Sequence, residues 1–212
     1  MIASLQLKTI IPMKKLIMIG MLLGTLQVIA QTKGYQPGSM VPNFSLKDVN
    51  NNNVSLDDYK TAKGYIVVFT CNTCPVAQAY EDRIIGLHEQ YAAKGFPVMA
   101  INPNDPEVSK GDSFKAMQER ARSKKYPFAY LFDPGQTITK QFGAERTPHV
   151  YLLIKTAKQN QVAYIGAIDN DTENTNPGKK KYLEDAIQAL LVGNSPKVTS
   201  TKAVGCAVKY KK

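Results

Sequence analysis

Residues that could hold a metal or staple a fold are scarce in this chain: its 212 residues include three cysteines, two histidines and no tryptophan. Three cysteines are too few for a fold built on disulfides. There is a single CxxC, Cys71 and Cys74, and the other sulfur and imidazole ligands are His88, His149 and Cys206, which argues against a closed four-ligand zinc site. His88 follows core-facing Leu87 on an amphipathic stretch and is expected at the surface. No internal repeat is present, which excludes a solenoid. Acids are outnumbered, 17 against 27 basic residues, for a net charge of +10. The lysines are dispersed, with short clusters at Lys124–Lys125 and Lys179–Lys181 and no interleaved aromatics, so no nucleic-acid partner is expected and the charge reads as solubilising.

Long hydrophobic runs are also missing. The uncharged stretch Leu16–Ala30 is fifteen residues, short of the roughly 20 that a spanning helix needs. It follows Lys14–Lys15 and ends at Val28–Ile29–Ala30, the layout of a secretory signal peptide cleaved after Ala30. Residues 1–30 are therefore expected as a leader and 31–212 as one domain, exported to a bacterial periplasm, with no stable membrane insertion after cleavage. The leader carries three lysines and no acid, so its removal takes the charge from +10 to +7. In an oxidising compartment an odd number of cysteines points to at least one working or unpaired thiol.

Period and punctuation predict alternating strands and helices. "NFSLKDVNNNNVSLDDY" reads as a β-hairpin followed by a turn capped at Ser55. "GYIVVFT" (64–70) is a strand buried on both faces. Val76, Tyr80, Ile84, Leu87 and Tyr91 give one apolar helical face that stops at Gly95. A strand at 97–102 precedes a helix capped near Asp112 or Ser113, with Phe114, Met117 and Ala121 inward. A strand at 128–132, a short helix at 136–142, a hairpin of 149–154 with 162–168 and a helix through Tyr182, Ala186 and Leu190 follow. The tail "TKAVGCAVKYKK" is a candidate last strand. The fold class is α/β, a mixed sheet covered on both faces.

The two cysteines of "FTCNTCP" fall where a strand gives way to a helix, and helix N-termini stabilise thiolates. With Cys71 as N-cap, Cys74 is the third helical residue and Pro75 the fourth, so both sulfurs lie on the first turn. Cys71 is then the attacking thiol, with a pKa well below that of a free thiol, and Cys74 the resolving one. Two inert core thiols or half a zinc site are the competing readings. Thr147–Pro148 opens a strand, where proline can be cis or ordinary trans. Cys206 reads first as a packed tail cysteine, with a third thiol pairing with Cys71 or another chain as the alternative. Asp169, Asn170 and Asp171 read as a turn. His149 reads as a strand residue that packs, or as a copper(I) ligand beside Cys71 and Cys74.

Together "VVFTCNTCP", "VMAINPND", "DSFKAMQERA", "PFAYLFDPGQ", "TPHVYLL", "YIGAID" and "GCAVKYK" make residues 38–212 resemble the thioredoxin-like, peroxiredoxin-like group of the AhpC/TSA redoxin superfamily. The resemblance implies a thioredoxin-like fold with an extra helix-strand insertion at 113–132. It also implies a redox pair of Cys71 and Cys74, and a cis Pro148 facing them, with the backbone of Thr147 offered to a partner's extended chain. Several positions depart from that pattern. Thr70 replaces a tryptophan, Thr73 a histidine between the cysteines and Arg146 a cysteine; Tyr65 stands where a buried acid is usual. The peroxidase motif Pro-x-x-x-Thr/Ser-x-x-Cys is missing: counting back from Cys74 meets Cys71 and Val67, and from Cys71, Val68 and Gly64. The expected function is an exported thiol–disulfide oxidoreductase that needs no dissociable cofactor and exchanges electrons with a dithiol or disulfide protein. A thiol peroxidase, a copper-binding chaperone and a non-catalytic interaction domain are the alternatives.

Overall fold

A computed structural model describes residues 34–211; the expected leader, 1–30, lies outside them. The strands are β1 (Met40–Val41), β2 (Ser45–Asp48), β3 (Asn53–Ser55), β4 (Gly64–Phe69), β5 (Val98–Asn102), β6 (Ala129–Phe132), β7 (Arg146–Thr147), β8 (His149–Lys155), β9 (Asn160–Gly166) and β10 (Cys206–Ala207). The helices are α1 (Pro75–Tyr91), α2 (Phe114–Lys124), α3 (Thr137–Phe142) and α4 (Tyr182–Leu191). Eight strands form one sheet in the order β1-β9-β8-β4-β5-β6-β2-β3, and β10 pairs with β7 in a separate ribbon.

The central strand β4 runs parallel to β5 and antiparallel to β8. All six of its residues are buried, as a strand covered on both faces requires. Its alternation sorts two cores. Ile66 and Val68 meet Tyr80, Ile84 and Leu87 of α1 and Leu183 and Ile187 of α4. Val67 and Phe69 meet Ile138 and Phe142 of α3 on the other face. The expected insertion is present as α2 and β6, with Met117 and Ala121 packed on Ala100 and Tyr130. This is the thioredoxin-like α/β architecture expected. The short strands β1 and β7, two residues each, had no periodicity to announce them. His88 corrects its surface expectation: it is half-buried, and its Nδ1 accepts the Val98 N–H at 3.2 Å.

α1 is bound to the insertion by a buried charge. Glu81, 4% exposed, receives Arg120 Nε at 2.6 Å and Nη2 at 2.8 Å, and the Tyr126 hydroxyl at 2.8 Å. Burial works to raise the Glu81 pKa; the Arg120 and Tyr126 hydrogen bonds outweigh it, and the carboxyl titrates below its ordinary value. A lowered carboxyl pKa contributes stability above the unfolded value of about 4.3 that is lost as pH falls through the folded value. Arg120→Ala is expected to cost about 2 kcal/mol, below the usual figure for a broken buried pair because Arg120 itself is partly exposed. Urea unfolding at pH 7 and pH 3 checks both points: the deficit of the variant should shrink at the lower pH.

Candidate active site

Two elements bring the expected site residues together: the β4–α1 junction and the β7–β8 turn. Helix α1 starts one turn later than the spacing suggested. Its N-cap is Cys74, not Cys71, and Pro75 is the first helical residue. The reason is local: proline disfavours helical geometry in the residue before it, and Cys74 is extended, with φ −81° and ψ 121°. Proline at the first helical position gives up an N–H that has no intrahelical acceptor. Cys74 Sγ instead accepts the Ala77 N–H at 3.5 Å.

Thr147 meets both cysteines. It is fully buried, and its peptide bond to Pro148 is cis, as the resemblance implied. The Thr147 hydroxyl lies 3.2 Å from Cys71 Sγ, and its carbonyl oxygen 3.4 Å from Cys74 Sγ. Cys71 is a free thiol, 3% exposed. Withdrawal from water pushes its pKa above the ordinary thiol value; the Thr147 hydroxyl opposes this, the charge of Asp112 adds to it, and the N–H groups of Cys74 and Thr73 oppose it. The expected depressed pKa is therefore overturned. Helix-terminal N–H groups do act on this sulfur, but burial outweighs them.

The pairing of the cysteines also differs from the expectation. Cys74 is disulfide-bonded to Cys206, with the Cα atoms 5.9 Å apart, and not to Cys71. Cys206 is thus neither a packed tail thiol nor a partner of Cys71. It arrives on β10, in register with Thr147. Gly205 makes the approach possible, because a Cβ there would run into the Thr147 carbonyl.

Sequence reasoning missed Asp112, noting it only as a helix cap. It is fully buried. One carboxylate oxygen accepts the Asn72 N–H at 2.7 Å and Asn102 Nδ2 at 3.2 Å. The other accepts the Thr73 hydroxyl at 2.7 Å, Asn104 Nδ2 at 2.8 Å and the Ser109 hydroxyl at 2.6 Å. Burial raises the Asp112 pKa, but these donors, Ser109 and Asn104 foremost, outweigh it and hold the carboxyl below its ordinary value. Asp112 thereby clamps the two residues between the cysteines. Tyr65, at the position where the resemblance implied an acid, donates to the Leu56 carbonyl at 2.7 Å.

The other candidates take structural places. Asp169 pairs with Arg83 at 2.8 Å and Lys179 at 3.2 Å and accepts the Tyr80 hydroxyl, fixing its turn against α1. His149 lies on β8 beside Tyr151, and its buried Nδ1 has no partner; burial pushes its pKa down to about 4. Among the described residues no three His, Cys, Asp or Glu side chains converge as a metal site would require.

Replacing Asp112 by alanine strands several buried donors, for an expected loss of about 3 kcal/mol in urea unfolding. In the native protein carrying the Cys74–Cys206 disulfide, the pH profile of Cys71 alkylation by iodoacetamide should have its midpoint above that of a free thiol, about 8.5. A midpoint below that of free cysteine would contradict the burial argument.

The AhpC/TSA family model matches residues 37–167. Peroxiredoxin Q, chloroplastic, of Triticum aestivum is 29% identical over 108 residues, 50% of this chain and 45% of that protein. Thiol-disulfide oxidoreductase ResA of Bacillus thuringiensis subsp. konkukian is 25% identical over 121 residues, 57% of this chain and 65% of that protein. The chain thus spans less than half the length of the peroxiredoxin relative it matches. Among solved structures, an uncharacterized conserved protein from Geobacillus kaustophilus superposes with a TM-score of 0.77 at 30% identity, over 84% of this chain and 94% of that one. The family match spans well over half of the chain, and with the thiol site it fixes the assignment: the chain belongs to the AhpC/TSA family.

Proposed function

We propose that this protein is an exported thiol–disulfide oxidoreductase that works on cysteines of other proteins through Cys71 and Cys74, with Thr147 and Pro148 shaping the place where the partner chain lies. One observation carries the reading: a free thiol, Cys71, sits beside a disulfide sulfur, Cys74, with the same residue, Thr147, against both. A core thiol with only a packing role has no reason to adjoin a disulfide at a helix N-terminus and a cis-proline turn.

In the fully reduced state, Cys71 loses its proton to solvent and attacks a partner disulfide. One partner sulfur leaves as a thiolate and the other stays bonded to Cys71. Cys74 then attacks Cys71, releasing the second partner thiol and closing the Cys71–Cys74 bond. Two electrons pass from this protein to the partner, and an external dithiol returns them. The Thr147 hydroxyl and the N–H groups of Cys74 and Thr73 favour the thiolate, while burial opposes it. Export rests on the Lys14–Ala30 leader pattern.

The likeness to peroxiredoxin Q favours a second reading, in which Cys71 reduces a hydroperoxide. Turnover of a disulfide-bonded protein substrate by the reduced protein, coupled to a small dithiol, distinguishes them. Cys71→Ser should lower that turnover about a hundredfold or more. If the native protein leaves protein disulfides untouched but consumes hydrogen peroxide in a Cys71-dependent way, the peroxidase reading replaces it.

A further inference from the structure

We propose that Cys206 is a third redox-active cysteine, and that the disulfide on Cys74 moves between Cys206 and Cys71 as the protein works. The inference rests on the oxidoreductase reading and adds a residue and a step to it.

Thr147 is the common neighbour of all three sulfur-bearing residues. Its hydroxyl contacts Cys71, its carbonyl contacts Cys74, and its backbone is paired across the β7–β10 ribbon with Cys206. The three cysteines also pack as one cluster with Ala77 and Val76. A Cys74 sulfur already bonded to Cys206 is therefore within the same small volume as the free Cys71 thiol, which is the arrangement thiol–disulfide exchange needs.

The tail that carries Cys206 is held at both ends. Upstream, Thr201 N–H donates to the Ile165 carbonyl at 2.9 Å. Downstream, the Lys209 N–H donates to Asn104 Oδ1 at 2.9 Å and the Lys211 N–H to Gln136 Oε1 at 2.9 Å. Between these anchors the two residues of β10 pair with β7, the Val208 N–H donates to the Glu145 carbonyl at 3.0 Å and Arg146 Nη1 to the Gly205 carbonyl at 3.3 Å, and Cys206 is partly exposed where Cys71 and Cys74 are buried. Cys206 is thus kept at the site whether or not it is bonded, and its sulfur reaches solvent when it leaves.

The exchange balances without any outside reagent. Cys71 gives its proton to solvent, and its thiolate attacks Cys74 Sγ. The Cys74–Cys206 bond breaks, Cys206 leaves as a thiolate and takes up a proton, and a Cys71–Cys74 bond has replaced the first one. No electrons are gained or lost. Run backwards, the step lets Cys206 take Cys74 from Cys71 and return Cys71 to the thiol state after a turnover. The strap over Thr147 is tied down covalently in one linkage and only by hydrogen bonds in the other, so the linkage sets how easily a partner strand reaches β7.

The test uses the full chain, oxidised, quenched in acid, alkylated and mapped by mass spectrometry. The native protein should contain both linkages. Cys71→Ser should contain Cys74–Cys206 alone, and Cys206→Ser should contain Cys71–Cys74 alone. Gly205→Val, whose side chain would collide with the Thr147 carbonyl, should move the balance about tenfold toward Cys71–Cys74 without altering a cysteine. Isolated Cys74–Cys206 protein brought from acid to pH 8 should develop the Cys71–Cys74 linkage. Complete alkylation of Cys206 in every oxidised sample, or a Cys74–Cys206 bond that never gives way to Cys71–Cys74, overturns the proposal. Turnover of Cys71→Ser judges the oxidoreductase reading separately: a native-like rate there defeats that reading, whereas a fixed linkage map with turnover lost defeats only the shuttle.

Discussion

Water cannot reach the carboxylate of Asp112, so its charge has to be met by donors from the protein itself, and five of them converge on it. Leaving such a charge unmet would cost several kcal/mol. The donors come from both ends of the site. Asn72 and Thr73 belong to the segment between the cysteines, Asn102 to the end of β5, Asn104 to the loop after it and Ser109 to the turn before α2. Asn104 then passes the constraint on: its amide nitrogen donates to Asp112 and its oxygen accepts the Lys209 N–H. One buried charge thus sets where the CxxC segment lies and where the tail after Cys206 is held. A change at Asp112 would be felt by all three cysteines, though the carboxylate touches none of them in its hydrogen bonds.

The same charge works against acidity at Cys71. It sits close enough to disfavour a thiolate, and burial disfavours it more. On the proposed function, Cys71 is placed for encounter with a disulfide and is not made strongly acidic. That is chemically coherent, because a thiolate of higher pKa is a better nucleophile once formed, with a Brønsted slope of about 0.4–0.5. A lower readiness to ionise is in this way partly offset by reactivity.

Most of the fold could be read from local pattern. The unbroken apolar run of β4 and the three-and-four spacing of Val76 to Tyr91 each carry their own periodicity, and tertiary packing only had to agree with them. The site was legible in its membership and less so in its connections. Cys71, Cys74, Thr147 and Pro148 do come together. The helix start was misplaced although the signal was present: proline acts on the residue before it, and that residue is Cys74. The other misses are non-local. Nothing near Cys206 in sequence says that it pairs with Cys74, 132 residues away, because that contact is made by a two-residue strand with no pattern of its own. Asp112 looked like a cap since an acid ahead of a helix usually is one; its partners include Asn72 and Thr73 of the CxxC segment, about forty residues away. His88 looked exposed from its helical position, and only the arrival of β5 beneath it supplies the Val98 N–H.

If the linkage shuttles as proposed, the strength of the hold on the strap decides what the thiol site can admit. β10 offers two paired residues, and each backbone hydrogen bond contributes a net of about 1 kcal/mol. The Val208 N–H to the Glu145 carbonyl adds one more, and the anchors at Thr201 and Lys209 keep the segment over Thr147 at a high effective concentration. An incoming strand that pairs with Arg146 and Thr147 gains the same kind of bonds that β10 gives up, so backbone pairing by itself is close to neutral. Selection of a partner on the proposed function then comes from what its side chains add, above all a sulfur positioned to react with Cys71 or Cys74. On the proposed function, a chain without a cysteine at that register has no covalent step to pull it past the strap, and the strap, tethered at both sides, wins the competition.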